Sequence, residues 1–150
     1  MTLMFYEYAA KRGITEALIQ IGYMYQYGLG MEPDSPKAIA YYEEAANNGK
    51  PDGWTKIGKL YEEAGDYEQA LTWYEKAAEA GDAVAMNNIG TFYAGGLGVE
   101  QDFTTAFEWI MMSAESGCRN AMYNLGDMYK LGLGVEKNVD LANEWYGKAE

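Results

Sequence analysis

The sequence contains no histidine and only one cysteine among its 150 residues. Without histidine, the chain lacks a histidine-based catalytic triad, a histidine zinc site and the most common general base. A single cysteine, Cys118, excludes an internal disulfide and a cysteine metal cluster. With no second cysteine and no histidine base, we interpret Cys118 as a structural or incidental thiol.

Basic residues are also scarce. The chain contains 11 Lys and Arg residues but 23 Asp and Glu residues, which gives a net charge of −12. This balance argues against nucleic acid and anionic membrane surfaces as partners, since both are bound through positive charge. No apolar run reaches the length of about 18 residues that a membrane span needs. The first eight residues lack the basic and apolar regions of a signal peptide. We therefore expect a cytoplasmic protein with no membrane insertion, although export after removal of a leader stays open.

Proline and strand-like alternation are rare, whereas apolar residues make up 49% of the chain. That apolar fraction is enough for a packed core and argues against disorder. The three prolines, Pro33, Pro36 and Pro51, lie between segments whose apolar residues recur with helical spacing. The sequence therefore predicts an all-α fold.

Two sequence patterns recur in phase along the chain. The first, Ala/Gly-x-x-x-Ile/Leu-Gly-x-x-Tyr, occurs four times, and its central glycines follow one another after 36, 32 and 36 residues. These glycines are Gly22, Gly58, Gly90 and Gly126. The second pattern combines alanines with paired aromatic or apolar residues, and its pairs are Tyr41–Tyr42, Trp73–Tyr74, Trp109–Ile110 and Trp145–Tyr146. Repeats with such a period indicate a helical array.

Each repeat is predicted to contain two antiparallel helices, A and B, because both patterns place apolar residues on one helical face. The predicted units are a helix-B-like half unit at residues 1–13 and repeats at residues 14–49, 50–81, 82–117 and 118–150. We expect Ser35, Asp66, Asp102 and Asn138 to cap the B helices. Gly90 and Gly126 are expected where helix A touches its own helix B, because glycine allows a close approach.

The third and fourth units resemble the Sel1-like repeat, which is related to the tetratricopeptide repeat. The resemblance rests on Tyr93, Gly96-Leu97-Gly98-Val99 and Asp102, followed by Ala106 and Trp109, and on residues 121–126. The second unit, with Ala64-Gly65-Asp66-Tyr67, is closer to a tetratricopeptide repeat. The family implies a right-handed α-solenoid of antiparallel helix pairs. It also implies adaptor roles in signalling, protein quality control and bacterial–host contact. Its cysteine-rich bacterial members, linked to β-lactams, differ from this chain.

Enzymatic motifs have simpler structural interpretations. The Gly-Leu-Gly segments lack the preceding strand and third glycine of a dinucleotide fingerprint, and they recur between helices, so we interpret them as turns. Adjacent carboxylates such as Glu43-Glu44 point about 100° apart on a helix and do not converge on one substrate atom. No Ser-x-x-Lys motif occurs. We therefore expect no enzyme, no catalytic residue, no cofactor and no metal site.

The resemblance implies that helix A lines the concave inner surface of the solenoid. Residues on that face are the candidate partner-binding set: Ile19, Gln20, Tyr23, Lys56, Lys59, Asn87, Asn88, Tyr123, Asn124 and Asp127. Four of them, Gln20, Lys56, Asn88 and Asn124, stand two residues before the central glycine and could form a ladder for an extended peptide backbone. An equally weighted alternative is that Asn88 and Asn124 bond between repeats.

The preferred function is a non-enzymatic scaffold or adaptor that binds a protein or peptide segment in the concave groove. The alternative is an acidic inhibitor or immunity-type protein that masks a basic enzyme, with steep salt dependence. Tyr23 and Tyr123 offer apolar anchors at the two ends of the groove, and Lys56 and Lys59 lie between them. We therefore expect a segment with apolar ends and an acidic or neutral middle. Since solenoid ends need polar caps, we also expect self-association through the C-terminal unit, or a longer parent chain.

Overall fold

The computed structural model describes residues 2–150, so the predicted half unit at residues 1–13 is described from Thr2 onward. Residues 2–150 form nine α-helices and no strand. The helices are α1 (Leu3–Lys11), α2 (Thr15–Tyr27), α3 (Ser35–Asn47), α4 (Asp52–Glu63), α5 (Tyr67–Glu79), α6 (Ala83–Gly95), α7 (Phe103–Glu115), α8 (Arg119–Leu131) and α9 (Val139–Ala149). The predicted all-α class is confirmed.

The helices pack as a one-dimensional array. Each of α2, α4, α6 and α8, the A helices, has its most extensive contacts with the following B helix, α3, α5, α7 or α9. Helix α1 is of the B type and packs against α2. Successive A helices also contact one another, α4 with α6 and α6 with α8. Within residues 2–150, A helices contact A helices whereas no two B helices have comparable contacts, so the A helices lie on the more closely packed side of the α-solenoid, which we call its inner face.

Local sequence explains where the helices begin and end. Helices α2, α6 and α8 are each followed by a glycine in the left-handed region, Gly28, Gly96 and Gly132, with φ of 66°, 66° and 71°. This conformation favours glycine because it lacks a Cβ. The caps at Asp66, Asp102 and Asn138 are confirmed, since each side chain accepts a backbone N–H bond.

The predicted cap at Ser35 is wrong by one residue. The side chain of Asp34 accepts the bond from Lys37 N at 3.1 Å, and Ser35 is the first helical residue. Asp34 and Ser35 are both good capping residues. The carboxylate of Asp34 takes the role, which places Pro36 in the first turn, where its missing N–H leaves no helical bond unmade.

Small residues of helix A allow large residues of helix B to approach closely. A Cβ at Gly58 would lie 2.6 Å from the ring of Tyr74, and one at Gly126 would lie 2.7 Å from Cδ1 of Tyr146. A Cβ at Gly90 would overlap Ile110 Cγ1. The expectation that Gly90 and Gly126 face their own helix B is therefore confirmed. The B-helix residue that faces each glycine fills the space between the paired helices.

Candidate partner-binding face

The burial of a helix A residue depends on its sequence position relative to the central glycine. The residue three positions before the glycine is buried in the first three repeats, where Ile19, Thr55 and Asn87 are 4%, 6% and 7% exposed. Ile19 packs in one cluster with Ile57 of α4, and Asn87 bonds to α8. The expectation that Ile19 and Asn87 face solvent is wrong, because the next helix A covers this position.

The same position is exposed in the fourth repeat, where Tyr123 is 40% exposed. No helix A follows α9 within residues 2–150, whereas Ile19 shares a buried cluster with Ile57 of the next helix A. The ring of Tyr123 lies 6.4 Å from the ring of Tyr146, centroid to centroid. Tyr123 is therefore exposed within residues 2–150, and its role in partner binding stays a prediction.

Two other sets of equivalent helix A positions, each with one residue per repeat, differ in their exposure to solvent. The residues two positions before the glycines are half-buried: Gln20, Lys56, Asn88 and Asn124. The residues directly after the glycines are exposed: Tyr23, Lys59, Thr91 and Asp127. We name this second set the exposed inner row. Sequence reasoning selected three of its members but left out Thr91, although its position after Gly90 identifies it.

Asn124 forms a hydrogen bond between repeats. Its Nδ2 donates to Oδ1 of Asn87 at 3.0 Å, in a partly buried setting. For Asn124, this contact agrees with the second of the two interpretations, in which the asparagine bonds between repeats. A buried polar atom without a hydrogen-bond partner lowers the stability of the fold. The donor from Asn124 therefore stabilises the buried Asn87 Oδ1 in the interface between α6 and α8.

Replacing Asn124 with alanine is therefore expected to lower the free energy of unfolding by about 1–3 kcal/mol, because Asn87 Oδ1 loses its donor. Urea denaturation followed by circular dichroism measures the change. Thr91→Ala is the control on the same face, since Thr91 is exposed and bonds only within its own helix. Its expected effect is within about 0.5 kcal/mol. Equal effects of the two substitutions would refute the structural role of Asn124.

A side-chain network joins the ends of α2 and α4 on this face. Tyr42 Oη donates to Gln26 Oε1 at 2.7 Å, and Gln26 Nε2 donates to Glu63 Oε2 at 3.4 Å. Tyr27 Oη donates to Glu63 Oε1 at 2.8 Å. Burial, followed by this bond to the Glu63 carboxylate, raises the pKa of Tyr27 to about 12. The network fixes the first repeat against the second.

Sequence reasoning missed the contact between Tyr27 and Glu63. Both residues stand five positions after the glycine of their helix, Gly22 or Gly58. Alignment of the two repeats would therefore have placed them at equivalent positions. Whether equivalent positions touch across two repeats depends on how the helices rotate, which the repeat pattern does not specify.

Two other tyrosines of helix B donate to carboxylates of helix A. Tyr74 Oη donates to Glu62 Oε1 at 2.7 Å, and Tyr146 Oη donates to Asp127 Oδ1. The bond to Asp127 raises the pKa of Tyr146 to about 12, with burial as the second cause. The third repeat has no hydroxyl and no acceptor at the positions of Tyr74 and Glu62, which are occupied by Ile110 and Ala94. Asp127 is thus exposed but already bonded.

Within residues 2–150, no group of three or more His, Cys, Asp or Glu residues is arranged to hold a metal ion. No helix in this part of the chain combines the length and apolar character that a membrane crossing requires.

The repeated A–B pair, with its central glycine against a large residue of helix B, defines the protein as a helical-repeat solenoid. The Sel1 repeat profile matches residues 15–50, 58–82, 83–118 and 119–150. The chain belongs to the Sel1 repeat family. Proteins with these repeats generally act as non-enzymatic scaffolds in protein–protein interaction.

Three relatives illustrate the similarity. The ERAD-associated E3 ubiquitin-protein ligase component HRD3 of Candida glabrata is 36% identical over an alignment of 115 residues, and the alignment covers 71% of this chain and 14% of that protein. A Sel1 repeat protein from Oxalobacter formigenes has a crystal structure with TM-score 0.82 and 36% identity, covering 98% of this chain and 62% of that one. A protective antigen of uropathogenic Escherichia coli has a crystal structure with TM-score 0.80 and 32% identity, covering 98% of this chain and 32% of that one. This chain spans less than two thirds of each.

Proposed function

We propose that the protein is a non-enzymatic scaffold that binds a protein or peptide segment along the inner face of its A helices. The observation that carries this proposal is the exposed inner row, which offers one solvent-facing side chain per repeat. These side chains are Tyr23, Lys59, Thr91 and Asp127. A regular row on neighbouring helices suits an extended partner that contacts several repeats.

Tyr23 is the strongest candidate anchor of this face. Its side chain is 46% exposed, and its ring lies 4.7 Å from that of Tyr27, centroid to centroid. Tyrosine is enriched among the residues that dominate binding energy because it combines apolar area with a polar tip. Lys56 and Lys59 supply positive charge farther along, on α4. The ligand that fits is a segment with an apolar anchor at Tyr23 and a neutral or acidic part beside the lysines.

The alternative, an acidic inhibitor that masks a basic enzyme, is favoured by the net charge of −12. The two functions predict different responses to salt. Binding through long-range charge weakens steeply as ionic strength rises, because salt screens exposed charges. Binding through aromatic and amide contacts on the inner face weakens little. The cytoplasmic location expected from the sequence stays a prediction.

The test compares two paired variants of the full chain. The inner variant carries Tyr23→Ala and Lys59→Ala, and the control carries Glu44→Ala and Glu79→Ala at exposed positions of α3 and α5. A partner is first identified by affinity capture with the wild-type protein. Titration calorimetry is then expected to show a loss of about 1 kcal/mol or more for the inner variant and little change for the control. Equal or larger losses in the control would place the site on the B helices and refute the proposal.

Self-association through the C-terminal unit is a second expected property. Three large apolar residues of the C-terminal unit are exposed, since Leu131, Val139 and Tyr123 are 64%, 51% and 40% exposed. Exposed apolar surface is typical of interfaces. Sedimentation velocity is expected to show a mass that increases with concentration, and Leu131→Lys should reduce this increase. A monomer at every concentration would contradict the prediction.

A further inference from the structure

The exposed inner row is accessible to solvent even where an A helix lies on each side. Lys59 is on α4, between α2 and α6, and Thr91 is on α6, between α4 and α8, yet both side chains are exposed. Tyr23 and Asp127 hold the equivalent positions on α2 and α8. The exposure of this row therefore follows from its position on helix A and does not depend on where the array begins or ends.

The four side chains of this row follow one another in a defined chemical order. Tyr23 is aromatic, Lys59 is positive, Thr91 is neutral and Asp127 is negative. Because successive A helices are neighbours, this order along the chain is also the order across the inner face. The A helices carry five acidic and four basic residues, so they contribute little to the net charge of −12. A single positive or negative side chain on this face therefore acts on a ligand as a local charge.

Lys59 has no acidic partner, although two carboxylates follow it on α4. Glu62 and Glu63 stand three and four residues after Lys59, at the spacing that allows ion pairs on a helix. Both carboxylates accept tyrosine hydroxyls instead, Glu62 from Tyr74 Oη and Glu63 from Tyr27 Oη. Within residues 2–150, no carboxylate forms an ion pair with Lys59. Its ammonium group therefore remains available to a carboxylate of a ligand.

Asp127 also keeps its charge for a ligand. Tyr146 Oη donates a hydrogen bond to Asp127 Oδ1. A phenol that donates this bond holds the carboxylate in place but leaves it negative, and the second carboxylate oxygen can still accept a bond. In the part of the chain that the structure describes, no Lys or Arg forms an ion pair with Asp127. The carboxylate is thus fixed in position without being neutralised, which favours pairing with a cation of a ligand.

The distance between successive A helices sets the spacing of a matching segment. Packed helix axes lie about 8–10 Å apart and an extended chain advances about 3.3 Å per residue, so one step of the row spans about three residues. Tyr23 and Lys59 are one step apart, and Lys59 and Asp127 are two steps apart. The residues that meet Tyr23 and Lys59 are then about three positions apart, and the residue that meets Asp127 is about six positions further on.

We propose that the inner face binds an extended peptide segment in one order, with an apolar residue against Tyr23, a Glu or Asp beside Lys59 and a Lys or Arg beside Asp127. Either chain direction of the segment satisfies this order. The inference rests on the proposed function and specifies the partner segment that the same face takes. Opposite charges at matching positions favour this order, and like charges disfavour a segment with the reverse order. Tyr23 supplies the apolar contact.

The test selects peptides that bind the full chain from a phage-displayed library of random segments of about 15 residues, which is long enough to cover the row. The enriched peptides are expected to share an apolar residue, an acidic residue about three positions away and a basic residue about six positions beyond it. If selection does not enrich this order over the unselected library, the proposal is refuted.

Two variants test which side chain recognises which charge. Selection with Lys59→Glu is expected to enrich a basic residue where the wild-type protein enriches an acidic one. Asp127→Asn removes the negative charge but keeps an oxygen that accepts from Tyr146 Oη, so selection should lose only the preference for the basic residue. Enrichment of the same charges by all three proteins would overturn the proposal.

Fluorescence anisotropy with the most enriched wild-type peptide measures the size of the effect. Lys59→Glu is expected to weaken binding about fivefold, and a peptide with lysine in place of its acidic residue is expected to restore it. Lys137→Glu is the control, since it makes the same change of charge at an exposed position between α8 and α9. Its binding should match that of the wild-type protein. An equal loss in both variants would assign the effect to net charge and contradict the proposed order.

Failure of this inference is distinguishable from failure of the proposed function. Peptides that lose binding to the variant with Tyr23→Ala and Lys59→Ala, but share no order of charges, would overturn the order and leave binding at the inner face in place. Peptides that keep their full affinity for that variant would count against both.

Discussion

Gly53→Ala is expected to lower the free energy of unfolding by about 2–3 kcal/mol, although alanine normally stabilises a helix. A Cβ at Gly53 would overlap the backbone oxygen of Tyr42 and lie 3.0 Å from the backbone nitrogen of Ala46. Backbone atoms of a packed helix cannot turn away as a side chain can, so α3 and α4 must separate. Urea denaturation followed by circular dichroism measures this loss.

Gly147→Ala is the matched control for Gly53→Ala. Gly147 is also helical, and a Cβ there would have no heavy atom within 4 Å beyond its neighbours in the chain. The expected result is a gain of up to about 1 kcal/mol, because alanine loses less conformational freedom than glycine on folding. The same substitution should thus have opposite signs at the two sites. A gain at Gly53 would contradict the close approach of α3 and α4.

Gly90→Leu is expected to destabilise the protein by about 3 kcal/mol, at the upper end of the effects of overpacking. The Cβ of a leucine at position 90 would overlap Ile110 Cγ1. It would also lie 3.1 Å from Ile110 Cδ1 and 3.2 Å from the backbone oxygen of Ala106. The melting temperature measured by circular dichroism should fall accordingly. An unchanged melting temperature would refute the assigned register of α6 against α7.

A double substitution separates local overpacking from general disruption of α6. Ile110→Ala alone should cost about 2–5 kcal/mol, because it leaves a cavity in a buried site. In the double variant, the leucine at position 90 fills part of that space. The loss of stability in the double variant should therefore be smaller than the sum of the two single losses by about 1 kcal/mol or more. Strict additivity would indicate that the two side chains do not meet.

The fold could be predicted because the sequence pattern of the A–B helix pair is repeated along the chain. Gly22, Gly58, Gly90 and Gly126 each specify a close contact, and their phase with the aromatic pairs identifies helix B. Individual caps are less certain from sequence, since Asp34 and Ser35 are adjacent and both accept backbone bonds well. The carboxylate that takes the bond shifts the beginning of α3 by one residue.

The candidate site could be predicted only in part, because the packing of one repeat on the next decides which side chains remain free. Ile19 and Asn87 lie on the expected face of helix A, yet α4 or α8 covers them. Tyr123 shares their position and is exposed. The periodicity of one helix defines its faces, whereas the rotation between helices depends on contacts far apart in sequence, such as the one between Tyr27 and Glu63.

Hydrogen–deuterium exchange of the full chain, with and without its captured partner, tests the inner-face proposal most directly. The exchange of backbone amides reports which helices a partner protects. Binding along the A helices predicts increased protection in peptides that cover α2, α4, α6 and α8, strongest around Tyr23 and Lys59. It predicts little change in α3, α5 and α7. Protection confined to those B helices, with unchanged exchange in the A helices, would contradict a partner-binding inner face.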